Sequence, residues 1–407
     1  MLAGDAVVLT SEEHNRFELQ GFMEAGMEYM TRLTEFQTLL GKEADLAFFP
    51  VSADLEYLTG VPRDIPNYGA VMHPGAWLEG AWLTPEHAPV LALPRMTAEF
   101  GGLNDIEGIE VRILGDWDDP VSMVKDILAG FSLPQVPRVA ISDATSGETI
   151  VALQALLPQA KFVSATELLR PMRVIKTEAE IETMRQAGAI TEAAYAAVCE
   201  KLRHGMTELD IVTEVDYQLR AHGSLGPSFT TSLYCSGPNH PLRFGRRQET
   251  WRRELHAPVA VLFDFGAIYQ GFCYDFGRTV FFGEPDNEYR RIYQLVMDSQ
   301  AAGIAAMRSG KVTAAGVDAA ARSVIDEAGY GEAFRHRLGH GIGMDVHEPP
   351  FLTSDDETIL QAGMLFTIEP SITQFDSFSA RVEDVVVARE DGGEPLTAGF
   401  REMRIVE

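Results

Sequence analysis

Cysteine, basic charge and long apolar runs are all scarce in this chain. Cys199, Cys235 and Cys273 are the only cysteines among 407 residues. Three dispersed thiols build no disulfide framework, and no C-x-x-C pair is present for zinc or redox chemistry. Lys and Arg total 33 against 60 Asp and Glu, a formal net charge of −27, with a pI near 4.7. That balance excludes nucleic acid and anionic membrane as partners for the surface as a whole. No apolar run approaches the ~20 residues of a membrane span. The first residues, M-L-A-G-D-A-V-V-L-T-S-E-E, lack the basic and apolar segments of a signal peptide. A cytoplasmic location is therefore expected. Apolar residues are plentiful, at 46%, and the length exceeds what one compact unit usually holds, so two domains are expected.

The first, 1–172, alternates helical and strand patterns. Residues 12–42 carry helical periodicity, with Phe22, Met27, Leu33 and Phe36 on one apolar face. Strands are expected at 45–50, 81–83, 90–93, 111–114, 138–142 and 160–163, helices at 52–60, 119–130, 149–157 and 165–172, and a loop at 62–75. This is an α/β unit without a catalytic constellation. The second domain, 173–407, opens with Thr177-Glu-Ala-Glu180, a capping box. Helices follow to about Gly205 and His222, then a Gly/Ser/Pro-rich stretch, 223–241, holding a short strand at 229–234. Further helices are expected at 286–309 and 313–328, and strand-and-turn segments at 336–350, 364–371 and 380–388. Helices packed on antiparallel sheet make this half α+β.

Between these helix pairs lies Val261 to Gly283, V-L-F-D-F-G-A-I-Y-Q-G-F-C-Y-D-F-G-R-T-V-F-F-G, read as a β-hairpin with acids in mid-strand. A Tyr269-Gln270 loop sets Asp264 and Asp275 directly opposite each other. A Gln270-Gly271 loop, the better turn chemistry, sets them diagonally on one face, and a three-residue loop separates them unless a bulge intervenes. Two carboxylates on a half-buried strand pair repel and resist burial, so a cation between them is expected. Downstream, His340 stands among glycines in L-G-H-G-I-G-M-D-V-H-E-P-P, with His347 seven residues on. Glu369 lies on the apolar run M-L-F-T-I-E-P and Glu383 in R-V-E-D-V-V-V. Four carboxylates and one imidazole suit two divalent ions sharing bridging carboxylates: Mn²⁺ first, with Co²⁺, Zn²⁺ and Fe²⁺ as alternatives.

These four motifs, in this order, resemble the metal-dependent peptidases of the pita-bread fold (family M24), and within them the prolidase and aminopeptidase P branch. The resemblance covers the whole second domain and extends to the first, which is similar to that branch's creatinase-type N-terminal domain. It implies a C-terminal pita-bread domain that cleaves Xaa-Pro bonds in dipeptides or at peptide N-termini, in a homodimer. It implies metal ligation by Asp264, Asp275, His340, Glu369 and Glu383, with Asp275 and Glu383 bridging. Glu369 is implied as the proton carrier, His347 as the group on the scissile carbonyl, and His336 as a further site histidine. Arg381, beside the last glutamate, is expected to pair with neighbouring acids or to touch substrate.

One departure stands out. Relatives follow S-G-P-N, after a few residues, with L-P-H-G, whose histidine lines the substrate pocket. Here Phe244 falls at that place, and His240 is the only nearby imidazole. Either His240 substitutes for it, or the wall is rebuilt with Arg243 and Phe244. Arg246 and Arg247 extend this basic cluster. The altered loop keeps a non-peptidase reading open, a small-amide hydrolase or a lyase of the dimethylsulfoniopropionate type. A non-catalytic binding module is disfavoured by the intact ligand set.

Overall fold

The computed structural model describes residues 28–63, 73–243, 245–397 and 399–407. The chain divides into two compact units between Pro171 and Met172. The first expected helix is seen over 28–43. Its earlier part, most of the 62–75 loop and Phe244 lie outside the described residues.

Among the described residues the N-terminal unit holds one six-stranded sheet, ordered β4-β3-β2-β1-β5-β6. The strands are β1 (Leu46–Pro50), β2 (Gly80–Leu83), β3 (Val90–Pro94), β4 (Glu110–Leu114), β5 (Arg138–Ile141) and β6 (Lys161–Ser164). Central β1, Leu-Ala-Phe-Phe-Pro, pairs antiparallel with β2 and parallel with β5. Its first four residues are all buried, as expected for a strand covered on both faces. Phe48, Trp82, Val139 and Leu153 form part of the core of this unit.

The second unit opens with helix α1 (Glu178–Cys199), whose start carries the capping box of Thr177 and Glu180. A second box, Thr207 with Asp210, starts α2 (Glu208–Ala221). One four-stranded sheet follows the order β19-β11-β8-β7, made of β7 (Ser232–Ser236), β8 (Val259–Phe265), β11 (Phe276–Phe282) and β19 (Arg404–Val406). Short β9 (Ile268–Tyr269) and β10 (Phe272–Cys273) extend the β8–β11 hairpin to its tip. A five-stranded sheet follows the order β13-β12-β14-β17-β18, made of β12 (Gly339–Gly341), β13 (Glu348–Leu352), β14 (Leu365–Ile368), β17 (Asp384–Arg389) and β18 (Gly392–Pro395). β15 (Ser371–Ile372) and β16 (Ala380–Arg381) pair separately. Helices α3 (Asn287–Ala306) and α4 (Ala314–Glu327) cover this region. Their Tyr289, Val296, Val317 and Ile325 share a core with Phe281, Phe366 and Val386.

The strand-and-turn segments can be compared with the expected pattern one by one. The strand expected at 229–234 lies at Ser232–Ser236. The run 380–388, expected as strand and turn, is β16 and β17, interrupted at Val382-Glu383, where Glu383 bridges to Gly277 of the other sheet. β18 reads Gly-Gly-Glu-Pro, a turn composition that becomes a strand through its pairing with β17.

Candidate metal centre

The hairpin resolves its own phase. Asp264 lies opposite Gly277, and Tyr269 opposite Phe272. The loop is therefore Gln270-Gly271, with φ of 47° and 78°, as a two-residue turn with two left-handed positions requires. Continuing the register sets Asp275 opposite Gly266, diagonal to Asp264 and on the same face. Gly277 has no side chain for a direct reason: a Cβ there would lie 2.8 Å from the Cβ of Glu383. Glu383 enters through that gap, its backbone N–H donating to the Gly277 carbonyl at 2.9 Å.

β12 carries His340, and Glu369 follows directly after β14. The Glu369 N–H donates to the Leu338 carbonyl at 2.9 Å, and the His340 N–H to Thr367 Oγ1 at 3.1 Å. The His340 Nδ1 lies 3.0 Å from the Gly341 carbonyl, so Nδ1 carries the proton and donates. Its Nε2 lone pair then points at Asp275 Oδ2, 3.7 Å away, and Glu369 Oε1, 3.5 Å away. Acceptor thus faces acceptor. The ligand atoms fall into three overlapping triads, each within 4.8 Å: Asp275–His340–His347, His340–Glu369–Glu383 and Asp264–Asp275–Glu383. His347 meets His340 edge to face, with ring centroids 4.1 Å apart.

Burial, then the neighbouring carboxylates, hold Asp275 and Glu383 well above the ordinary carboxylate range. Burial pushes Glu369 up to about 7, against the pull of Arg381. Burial, with His347 adding to it, depresses His340 to about 3, so its imidazole is neutral. Arg381 is the one cation paired with these acids among the described residues: Nη2 lies 2.7 Å from Asp264 Oδ2 and 3.1 Å from Glu383 Oε2. The group lines a cavity of about 910 Å³, whose wall also includes Tyr234, Arg247, His336, Arg337 and Phe351.

The sequence profile of metallopeptidase family M24 matches residues 182–390, and that of the creatinase/prolidase N-terminal domain matches 32–175. An Xaa-Pro dipeptidase of Lactobacillus delbrueckii subsp. lactis is 37% identical over 366 residues, covering 89% of this chain and 95% of that protein. The chain belongs to metallopeptidase family M24. A prolidase structure from Thermococcus sibiricus superposes with a TM-score of 0.81 at 28% identity, covering 93% of this chain and 99% of that one. A dipeptidase structure from Pyrococcus horikoshii gives 0.80 at 29%, covering 92% and 100%.

A metallopeptidase family implies a divalent metal, and the residues fit one. Asp275 Oδ1 is buried without a hydrogen-bond partner, and the His340 lone pair faces two carboxylates. A cation satisfies both at once. An oxygen-rich donor set with one imidazole suits a hard-to-borderline ion.

The M24 site gathers Asp264, Asp275, His336, His340, His347, Glu369, Arg381 and Glu383 around one cavity. His240 and Arg243 are not among its lining residues. The His240 ring is buried and its Nε2 lies 3.1 Å from the Glu254 carbonyl, a structural tie within its own loop. Arg243 borders a neighbouring cavity instead. The sequence reading passed over Tyr234, Arg337 and Phe351. Arg337 sits between His336 and His340, which was the available signal, whereas Tyr234 joins the wall only through the β7–β8 pairing.

Proposed function

We propose that the chain is an Xaa-Pro peptidase, a prolidase or Xaa-Pro aminopeptidase, working with two divalent ions, manganese foremost. Residues 173–407 would carry the catalysis and 1–172 the creatinase-like domain. Asp264, Asp275, His340, Glu369 and Glu383 would hold the metal pair. The observations that carry this reading are the His340 lone pair facing Asp275 Oδ2 and Glu369 Oε1, and the buried Asp275 Oδ1 left without a hydrogen-bond partner.

When bound, the metal pair would polarise the scissile carbonyl and make a water nucleophilic at neutral pH. Glu369, inside the cavity, would take a proton from that water and return it to the leaving nitrogen. His347 lines the cavity wall, where partial burial and Arg337 hold it below the usual imidazole range, so it is neutral. Its N–H can donate to the carbonyl oxygen as charge develops there. His336 is differently placed. Its Nδ1 lies 2.7 Å from the Arg337 carbonyl and its Nε2 2.6 Å from Ser371 Oγ. Both nitrogens are engaged, so its role is to hold the Arg337 carbonyl and the Ser371 hydroxyl rather than to carry protons. Arg381 would fix the outer oxygens of Asp264 and Glu383.

Ala-Pro, Gly-Pro and Leu-Pro hydrolysis with added Mn²⁺, Co²⁺ or Zn²⁺ tests the reading, with Glu369→Ala as control. Turnover that the substitution abolishes is expected. Metal-loaded protein inert towards every Xaa-Pro substrate would sink it and favour a small-amide substrate. Cys199, Cys235 and Cys273, all buried and none in a disulfide, suit a cytoplasmic setting. A homodimer is the assembly we expect, measurable by sedimentation.

A further inference from the structure

A second cavity, about 580 Å³, adjoins the metal-bearing one and shares Ser232, Tyr234 and Arg247 with it. The 910 Å³ of the first already matches the upper range of small-ligand sites. The second is therefore space that an Xaa-Pro pair does not need.

Its chemistry is unlike the rest of this acidic chain. Arg243, Arg246 and Arg247 line it, with Glu208 and Glu249 as the acids. Both acids are committed: Glu208 lies 2.6 Å from Arg253 Nη2, and Glu249 lies 2.6 Å from Arg246 Nη1. Arg247 Nη2 donates to Ser232 Oγ at 2.7 Å, at the junction of the two cavities. Arg243 is exposed and has no acid within 4 Å among the described residues. The wall also runs along β7, from Ser232 to Tyr234, and β7 is the outermost strand of its sheet, laddered to β8 alone among the described residues. An outer strand is a template for an extended peptide.

We propose that this second cavity extends the peptide site: a substrate longer than Xaa-Pro runs along the β7 edge and sets its C-terminal carboxylate on Arg243. This rests on the peptidase reading and deepens it, since it makes short oligopeptides, and not dipeptides alone, the substrate class. A guanidinium with no acid of its own binds a carboxylate through charge-assisted hydrogen bonds and forms no such bond with the matching amide.

The test separates binding from turnover. Pro-Ala-Ala, the leaving-side product of Ala-Pro-Ala-Ala, contains no Xaa-Pro bond and is titrated calorimetrically into the Mn²⁺-supplied full chain. It is expected to bind at least about tenfold tighter than its C-terminal amide. Arg243→Glu, and more mildly Arg243→Gln, should erase that preference; both sit on an exposed side chain. Equal affinities for acid and amide, or a preference that survives Arg243→Glu, overturn the proposal. Failure of Ala-Pro hydrolysis would instead count against the peptidase reading, so the two failures are told apart.

Discussion

Glu348, next to His347, offers the sharpest test of how the site is supported. It is 6% exposed. Its carboxylate receives Arg173 Nη2, Lys176 Nζ at 3.1 Å and the Asp345 N–H at 3.0 Å. Burial alone would raise its pKa, but Lys176 and Arg173 overcome that and hold it at about 2, against an ordinary value of 4.5. At about 1.4 kcal/mol per unit, the difference corresponds to roughly 3 kcal/mol of stability. The folded value is the lower one, so this contribution is complete above about pH 4.5 and disappears as pH falls towards 2. Glu348→Gln keeps the volume and removes the charge. Arg173 retains Asp345 at 2.9 Å, but the Lys176 ammonium, 4% exposed, loses its carboxylate. Stranding a buried charge costs about 3–5 kcal/mol, which agrees with the linkage figure. Urea unfolding followed by circular dichroism should show a loss of about 3–4 kcal/mol at pH 7 in the transition that the substitution moves. The gap should narrow below pH 4.5. A loss under about 1 kcal/mol, the level of an exposed pair, or a gap independent of pH would refute the argument.

Gly277→Ala would set a Cβ 2.8 Å from the Cβ of Glu383 and 3.0 Å from its Oε2; Mn²⁺ affinity, read by electron paramagnetic resonance, should fall by about tenfold or more, and unchanged affinity would contradict the close approach. Metal loading at pH 7 should release protons, because burial and the neighbouring carboxylates raise the pKa values of Asp275 and Glu383 and a bound cation lowers them again. Calorimetry in buffers of different ionisation enthalpy measures that release, and none would mean the acids are already ionised. His240→Ala should leave kcat/KM for Ala-Pro within about twofold while lowering stability by about 1–3 kcal/mol, since its ring bonds the Glu254 carbonyl; a large kinetic loss would return His240 to the substrate wall.

What the sequence made legible was type and order; what it left open was phase and direction. Asp264 and Asp275 are legible as a pair, but Gln270-Gly271 is not the Asn-Gly of an unmistakable hairpin, and it is the pairing of Tyr269 with Phe272 that fixes the loop. His340 could be seen among glycines, but only the Gly341 carbonyl decides which nitrogen is left to bind. The same limit applies to the wall. His240 had the right residue type near the right place, yet Glu254 claims its ring, and Arg243 turns to a different cavity. Residue type is written locally, whereas a side chain's partner is set by which strand arrives alongside.

Arg278 shows why the acids can be buried together. It follows Gly277 and is 3% exposed. Its Nη1 donates to the carbonyls of Gly277 and Glu383, each at 2.7 Å, and its Nη2 to Asp384 Oδ1 at 2.6 Å. Asp384 Oδ2 accepts from Gln300 Nε2 at 3.0 Å, reaching α3. Gly277 lies on the four-stranded sheet and Asp384 on the five-stranded one, so a single guanidinium ties the two sheets where Glu383 crosses. Burying Asp275, Glu369 and Glu383 side by side is costly, and this tie holds the crossing together against that cost. Arg381 cannot supply this tie, since it lines the cavity and pairs with acids that would hold metal. The two arginines therefore divide the work: Arg278 holds the backbone that carries the acids, and Arg381 fixes their outer oxygens. The cation that brings the inner oxygens together has to come from solution.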